Sequence, residues 1–75
     1  MSTLYVGGLP PSADTEFLRE LFDRFASVES IRLIRREPQG PHRGFGYVTF
    51  TNAREAAAAA ASLDGESGLR VAPAR

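Results

Sequence analysis

Short stretches of period-two patterning alternate along this chain with stretches whose apolar residues recur every three or four positions. Thr3-Leu4-Tyr5-Val6 reads as a strand that ends at Gly7-Gly8. Pro10-Pro11-Ser12 is a loop, and Asp14 is a helix N-cap whose carboxylate accepts backbone donors left unpaired in the first turn. Phe17, Leu18, Leu21, Phe22 and Phe25 follow helical spacing and make one apolar stripe on an acidic helix. Ser30 to Arg35 reads as a second strand. Glu37 to His42 is a loop, punctuated by Pro38, Gly40 and Pro41. Arg43 to Phe50 alternates as a third strand. Thr51 or Asn52 caps a second helix that runs through Ser62, and its Ala56–Ala61 stretch is built from the best helix former. Asp64-Gly65 ends that helix, Leu69 to Ala72 is a last strand, and Pro73 breaks it.

The order is therefore strand, helix, strand, strand, helix, strand, in one domain without repeats. Two helices cover one face of a four-stranded sheet and leave the other open. Successive strand side chains point to opposite faces. The predicted helix-facing side takes Leu4, Val6, Ile31, Leu33, Val48, Phe50, Leu69 and Val71, with Ala56, Ala59, Ala60 and Leu63 turned inward from the second helix. Gly44 and Gly46 lie on the same side and let the helices approach. The open side is left with Tyr5, Arg32, Ile34, Arg43, Phe45, Tyr47 and Arg70. Rings clustered on an uncovered face mark a binding surface.

Composition narrows the class. A chain of 75 residues is close to the lower limit for a self-supporting core, burying only about 60% of the surface its unfolded form exposes. A stability of ~3–5 kcal/mol is expected. There is no cysteine, which excludes disulfides and thiolate metal sites. No basic segment followed by an apolar stretch opens the chain, so no secretory signal is expected. The Ala56–Ala61 run is far too short to span a membrane.

The formal net charge is zero, yet the signs are segregated by element. Asp14, Glu16, Glu20 and Asp23 outweigh Arg19 and Arg24 on the first helix. Arg32, Arg35, Arg36 and Arg43 outweigh Glu29 and Glu37 around the second strand and the loop after it. Glu55, Asp64 and Glu66 outweigh Arg54, and Arg70 and Arg75 make the tail basic. All nine basic residues are arginine, the side chain that both stacks on planar rings and grips phosphate with two bonds.

Arg43-Gly44-Phe45-Gly46-Tyr47-Val48-Thr49-Phe50 matches, at every specified position, the longer ribonucleoprotein signature: a basic residue, Gly, an aromatic, a small residue, an aromatic, Val, any residue, an aromatic. Leu4-Tyr5-Val6-Gly7-Gly8-Leu9 matches the shorter one. With both signatures at the expected separation, the chain closely resembles the RNA recognition motif family over essentially its whole length. The resemblance implies an α+β, ferredoxin-like fold with an antiparallel sheet of strand order 4-1-3-2. It implies an intracellular, monomeric module without cofactor, on which Tyr5, Phe45 and Tyr47 stack on bases or sugars of single-stranded RNA. Arg43 matches a position that contacts phosphate, Arg32 and Arg70 would flank the rings, and Arg75 is a further RNA contact. Gly8 stands where the family more often has asparagine. Ala60 replaces a larger aliphatic, which predicts a thinner core. Only Glu66-Ser67-Gly68 separate Gly65 from Leu69, where the family usually has a longer segment with a small hairpin.

Plainer readings compete at each position. Phe45, Tyr47 and Tyr5 could be core, and Arg32 and Arg70 could be edge charges that prevent aggregation. Arg43 could pair with an acidic neighbour, and Arg35, Arg36 and His42 could be solvated loop residues. Single-stranded DNA offers the same π-faces as RNA. The second function class is a protein-interaction module, with a partner on the sheet or on the acidic helix. An enzyme is not expected, since there is no phosphate-binding glycine loop, no nucleophile beside a base, and His42 is the only histidine.

Overall fold

The computed structural model describes residues 2–10, 12–34 and 44–74. The elements are β1 (Ser2–Gly7), α1 (Thr15–Leu21), β2 (Val28–Ile34), β3 (Phe45–Phe50), α2 (Ala53–Leu63) and β4 (Arg70–Pro73), with a short 3-10 turn at Glu66–Gly68. The sheet order is β2-β3-β1-β4, and every neighbouring pair is antiparallel. This is the expected 4-1-3-2 order read from the opposite edge. The loop predicted over Glu37–His42, together with Arg35, Arg36, Arg43 and Arg75, lies outside the described residues.

Both helices lie on one face because both have a single apolar side to bury. Leu4, Val6, Val48, Phe50 and Val71 point down from the sheet and are buried, as are Leu18 and Phe22 from the α1 segment and Ala56, Ala59 and Leu63 from α2. Ala60 is only half-buried against this core. Phe22, Phe25 and Phe50 pack edge-on or tilted, with ring centroids 6.0–6.2 Å apart. Leu9, Ala13 and Leu69 complete the core from connecting segments.

The cap on α1 is as predicted, with the Phe17 amide donating to Asp14 Oδ1 at 2.9 Å. Between the two candidates for the second cap, Asn52 is the one used: its side chain accepts from the Glu55 amide at 2.9 Å. Three expectations are corrected. The first helix ends at Leu21 rather than reaching Phe25. There the Asp23 and Phe25 amides reach back only three residues, to Glu20 and Phe22, so the chain tightens while the apolar spacing continues. Gly44 is needed for its backbone (φ 84°) and not for helix approach, since a side chain there would meet only the Leu9 backbone at ordinary contact distance. Gly46 does serve close packing: a Cβ there would sit 2.5 Å from the Arg32 carbonyl oxygen and 3.1 Å from Leu18 Cδ1.

The third correction concerns Pro73. It does not break β4; it pairs with Leu4, and the ladder continues with the Ala74 amide donating to the Thr3 carbonyl at 2.8 Å. Hydrogen-bonded and non-hydrogen-bonded pairs alternate in an antiparallel ladder. With Ala74 bonded to β1, the nitrogens of Pro73 and Val71 face away from it, where proline costs no ladder bond. The outward Val71 amide instead donates to Asp64 Oδ1 at 2.9 Å.

Candidate nucleic-acid interface

The central strands β1 and β3 carry the open face, and their register sets which side chains meet. Tyr5 lies opposite Tyr47, and Gly7 lies opposite Phe45. On the outer sides, Arg32 pairs with Tyr47, Ile34 with Phe45, Ala72 with Tyr5, and Arg70 with Gly7. Two rows therefore cross the sheet. One runs Arg32, Tyr47, Tyr5, Ala72; the next runs Ile34, Phe45, Gly7, Arg70.

The three rings form a compact triangle. Tyr5 and Phe45 are stacked, with centroids 5.7 Å apart and planes 30° from parallel. Tyr47 presents its edge to both, at 6.1 Å from each. All three are half-buried while Val48 and Phe50, on the other face of the same strand, are fully buried. The Tyr5 ring lies over Gly7, whose missing Cβ would stand 2.5 Å from the Tyr5 hydroxyl. A side chain at Gly7 would occupy the space the ring now uses.

Arg32 and Arg70 are exposed, one on each edge strand. Three strand spacings separate β2 from β4, so the backbones that carry the two arginines lie about 14 Å or more apart. The structure thus unites Tyr5, Phe45, Tyr47, Arg32 and Arg70 on one face, while Arg43 and Arg75 fall outside the described residues. The Thr3 and Thr49 hydroxyls, 3.1 Å apart, border the tyrosine row. The same period-two parity that singled out the rings assigns both threonines to this face. Among the described residues no cluster of three or more His, Cys, Asp or Glu side chains could hold a metal ion. No helix among them is long and apolar enough to cross a membrane.

The model of the RNA recognition motif family matches residues 4–69. The chain belongs to this family. Among its relatives, the mitochondrial glycine-rich RNA-binding protein 3 of Arabidopsis thaliana is 42% identical over 64 residues, spanning 85% of this chain and 21% of that protein. The chloroplastic 29 kDa ribonucleoprotein A of Nicotiana sylvestris is 42% identical over 62 residues, spanning 83% of this chain and 23% of the relative. The chain thus corresponds to between a fifth and a quarter of either protein. Among solved structures, the second RNA recognition motif domain of the yeast poly(U)-binding protein superposes with a TM-score of 0.89 at 34% identity, covering 100% of this chain and 95% of that one. A complex of the Sxl-lethal protein with RNA superposes at 0.88 with 27% identity, covering 97% of this chain and 46% of that one. In this chain the two ribonucleoprotein signatures fall on the central strands β1 and β3; three of their aromatics, Tyr5, Phe45 and Tyr47, make the triangle, and the fourth, Phe50, is buried in the core.

Proposed function

We propose that this domain binds short single-stranded RNA on its open sheet face. The ring triangle of Tyr5, Phe45 and Tyr47 carries the reading. Three aromatics are kept out of a core that has its own phenylalanines, and are held together by mutual contact at 5.7–6.1 Å. Each base stacked on such a ring contributes ~1–3 kcal/mol. Arg32 and Arg70 stand on opposite edge strands, and in this reading each contacts a different phosphate. Arg43 and Arg75 add further phosphate contacts in this reading. Family membership supports it, as do relatives whose names describe RNA-binding proteins and ribonucleoproteins.

One small module holding two or three bases binds permissively. With about three phosphates neutralised, log K falls against log salt with a slope of roughly −2. Backbone amide shifts during titration with a degenerate short RNA pool test the proposal. Shifts are expected at Tyr5, Phe45 and Tyr47, and are lost in Phe45→Ala/Tyr47→Ala while the fold persists. Absence of shifts at near-millimolar RNA defeats it. A DNA pool of the same length separates stacking alone, which it shares, from recognition of the 2′-hydroxyl, which it lacks.

A further inference from the structure

A third row crosses the open face beside the tyrosine row. Thr49 lies opposite Thr3 on β1 and opposite Ser30 on β2. Period-two parity puts all three on the face away from the helices. Where the neighbouring rows carry rings and arginines, this one carries hydroxyls.

A β-bulge brings Ser30 into the row. Val28 and Ile31 both pack against the core, although they are three positions apart on one strand. Strict alternation sends such residues to opposite faces. The irregularity between Val28 and Ser30 absorbs the difference, so Val28 stays opposite Phe50 and Ser30 turns outward. Bulges re-aim side chains in this way beside binding sites. Ser30 is exposed, and its hydroxyl has no partner among the described residues.

The Thr3 and Thr49 hydroxyls are 3.1 Å apart, and either can donate to the other. The one that donates keeps only acceptor capacity, while the one that accepts keeps its own proton. The pair therefore presents a donor beside an acceptor, and reversing its bond exchanges the two. Every nucleobase carries a donor beside an acceptor on its Watson–Crick edge, which an unstacked single strand leaves open. A reversible pair fits any of them. Phosphate, which only accepts, would use the free proton alone. It is also disfavoured by Glu29, the exposed anion next to Ser30 in the bulge. Arg32, the cation on this strand, stands one row away, about 7 Å along β2.

We propose that this hydroxyl row is a further nucleotide subsite, which holds the base next to the ring-stacked ones by its Watson–Crick edge, whichever base it is. The Thr3–Thr49 pair makes the main contact and Ser30 adds to it. The rings then hold bases by their faces and the hydroxyls hold one more by its edge. This rests on RNA binding by the open face, as proposed above.

Valine keeps the branched shape and strand preference of threonine but forms no hydrogen bond. Uridine di- and trinucleotides are titrated against the parent and Thr3→Val/Thr49→Val, following amide shifts. The parent should bind the trinucleotide at least about fivefold more tightly than the dinucleotide. The valine variant, with its fold intact, should bind the dinucleotide as the parent does and lose that gain. Of the two trinucleotides with an abasic end, one should bind the parent no better than the dinucleotide and bind both proteins alike. Cytidine and adenosine oligonucleotides should show a gain of similar size. A gain that is missing in the parent, kept in the valine variant, kept with either end abasic, or confined to one kind of base would each overturn the proposal while dinucleotide binding left the RNA reading standing. No binding of any oligonucleotide to the parent would overturn both.

Discussion

Gly7 is a residue whose importance is in the space it leaves. The Tyr5 ring occupies the volume a Cβ would take, and from there it stacks on Phe45. The hydroxyl end of a tyrosine swings more easily than a backbone moves, so Gly7→Ala should displace the ring and leave the fold intact. The expected outcome is a change in Tyr5 and Phe45 ring proton shifts, several-fold weaker RNA binding and an unchanged melting temperature. Ring shifts identical to those of the parent would show that the stack does not depend on Gly7. The ring triangle itself was legible in the sequence, because period-two parity assigns Tyr5, Phe45 and Tyr47 to one face without any coordinates. The support that Gly7 gives Tyr5 was not, since it depends on a rotamer.

Among the elements, α2 is tied to the end of the α1 segment twice: Arg24 donates to the Ser62 hydroxyl at 2.7 Å, and Ser27 meets Glu55. Glu55 is three residues after the cap Asn52, but its carboxylate does not fold back on its own helix. It reaches across to Ser27, accepting from the hydroxyl at 2.5 Å and from the amide at 2.7 Å. The Ser27 carbonyl in turn accepts from the Thr51 amide at 2.8 Å. The Ser27 hydroxyl, and after it the Ser27 amide, hold the Glu55 carboxyl below its ordinary value of 4.5. A carboxyl depressed by folding stabilises the fold in its ionised form, so the contribution is complete above the ordinary value and fades as pH falls through the lowered one. Ser27→Ala should therefore raise the Glu55 titration midpoint toward its ordinary value and bring acid unfolding to higher pH. A side-chain carboxyl NMR titration measures the first effect; an unmoved midpoint would acquit the hydroxyl. At this scale the sequence pattern is a good guide to which segments exist and a poorer one to where they stop. Phe25 keeps the helical spacing although the backbone has already left the helix. Pro73 reads as a terminator because its missing donor shows in the sequence, whereas the direction that donor would have faced does not.

For the molecule as a whole, a net charge of zero conceals two unlike sides. Among the described residues the helix layer and its connections carry Asp14, Glu16, Glu20, Asp23, Glu55, Asp64 and Glu66 against Arg19, Arg24 and Arg54, while the open face carries Arg32 and Arg70. A polyanion is drawn to one side and repelled by the other, an orienting effect that weakens with ionic strength. The outer border of β4 is equally one-sided. Its two outward nitrogens are disposed of, Val71 by the Asp64 carboxylate and Pro73 by having no hydrogen to give. Over these described residues a strand arriving from another copy would find acceptors and no donors, so half the bonds of a new ladder would be missing there. Continuation of the sheet through β4 by a second copy is therefore expected to be disfavoured. Asp64→Ala/Pro73→Val restores the donor row; it should lower stability by about 1 kcal/mol through the lost hydrogen bond and generate concentration-dependent dimers in sedimentation velocity. If the doubly substituted domain sediments as the parent does at every concentration, the border is guarded by something other than its missing donors. In a polypeptide carrying several such domains in a row, this border works as insulation. Neighbours can crowd together on one RNA without fusing their sheets.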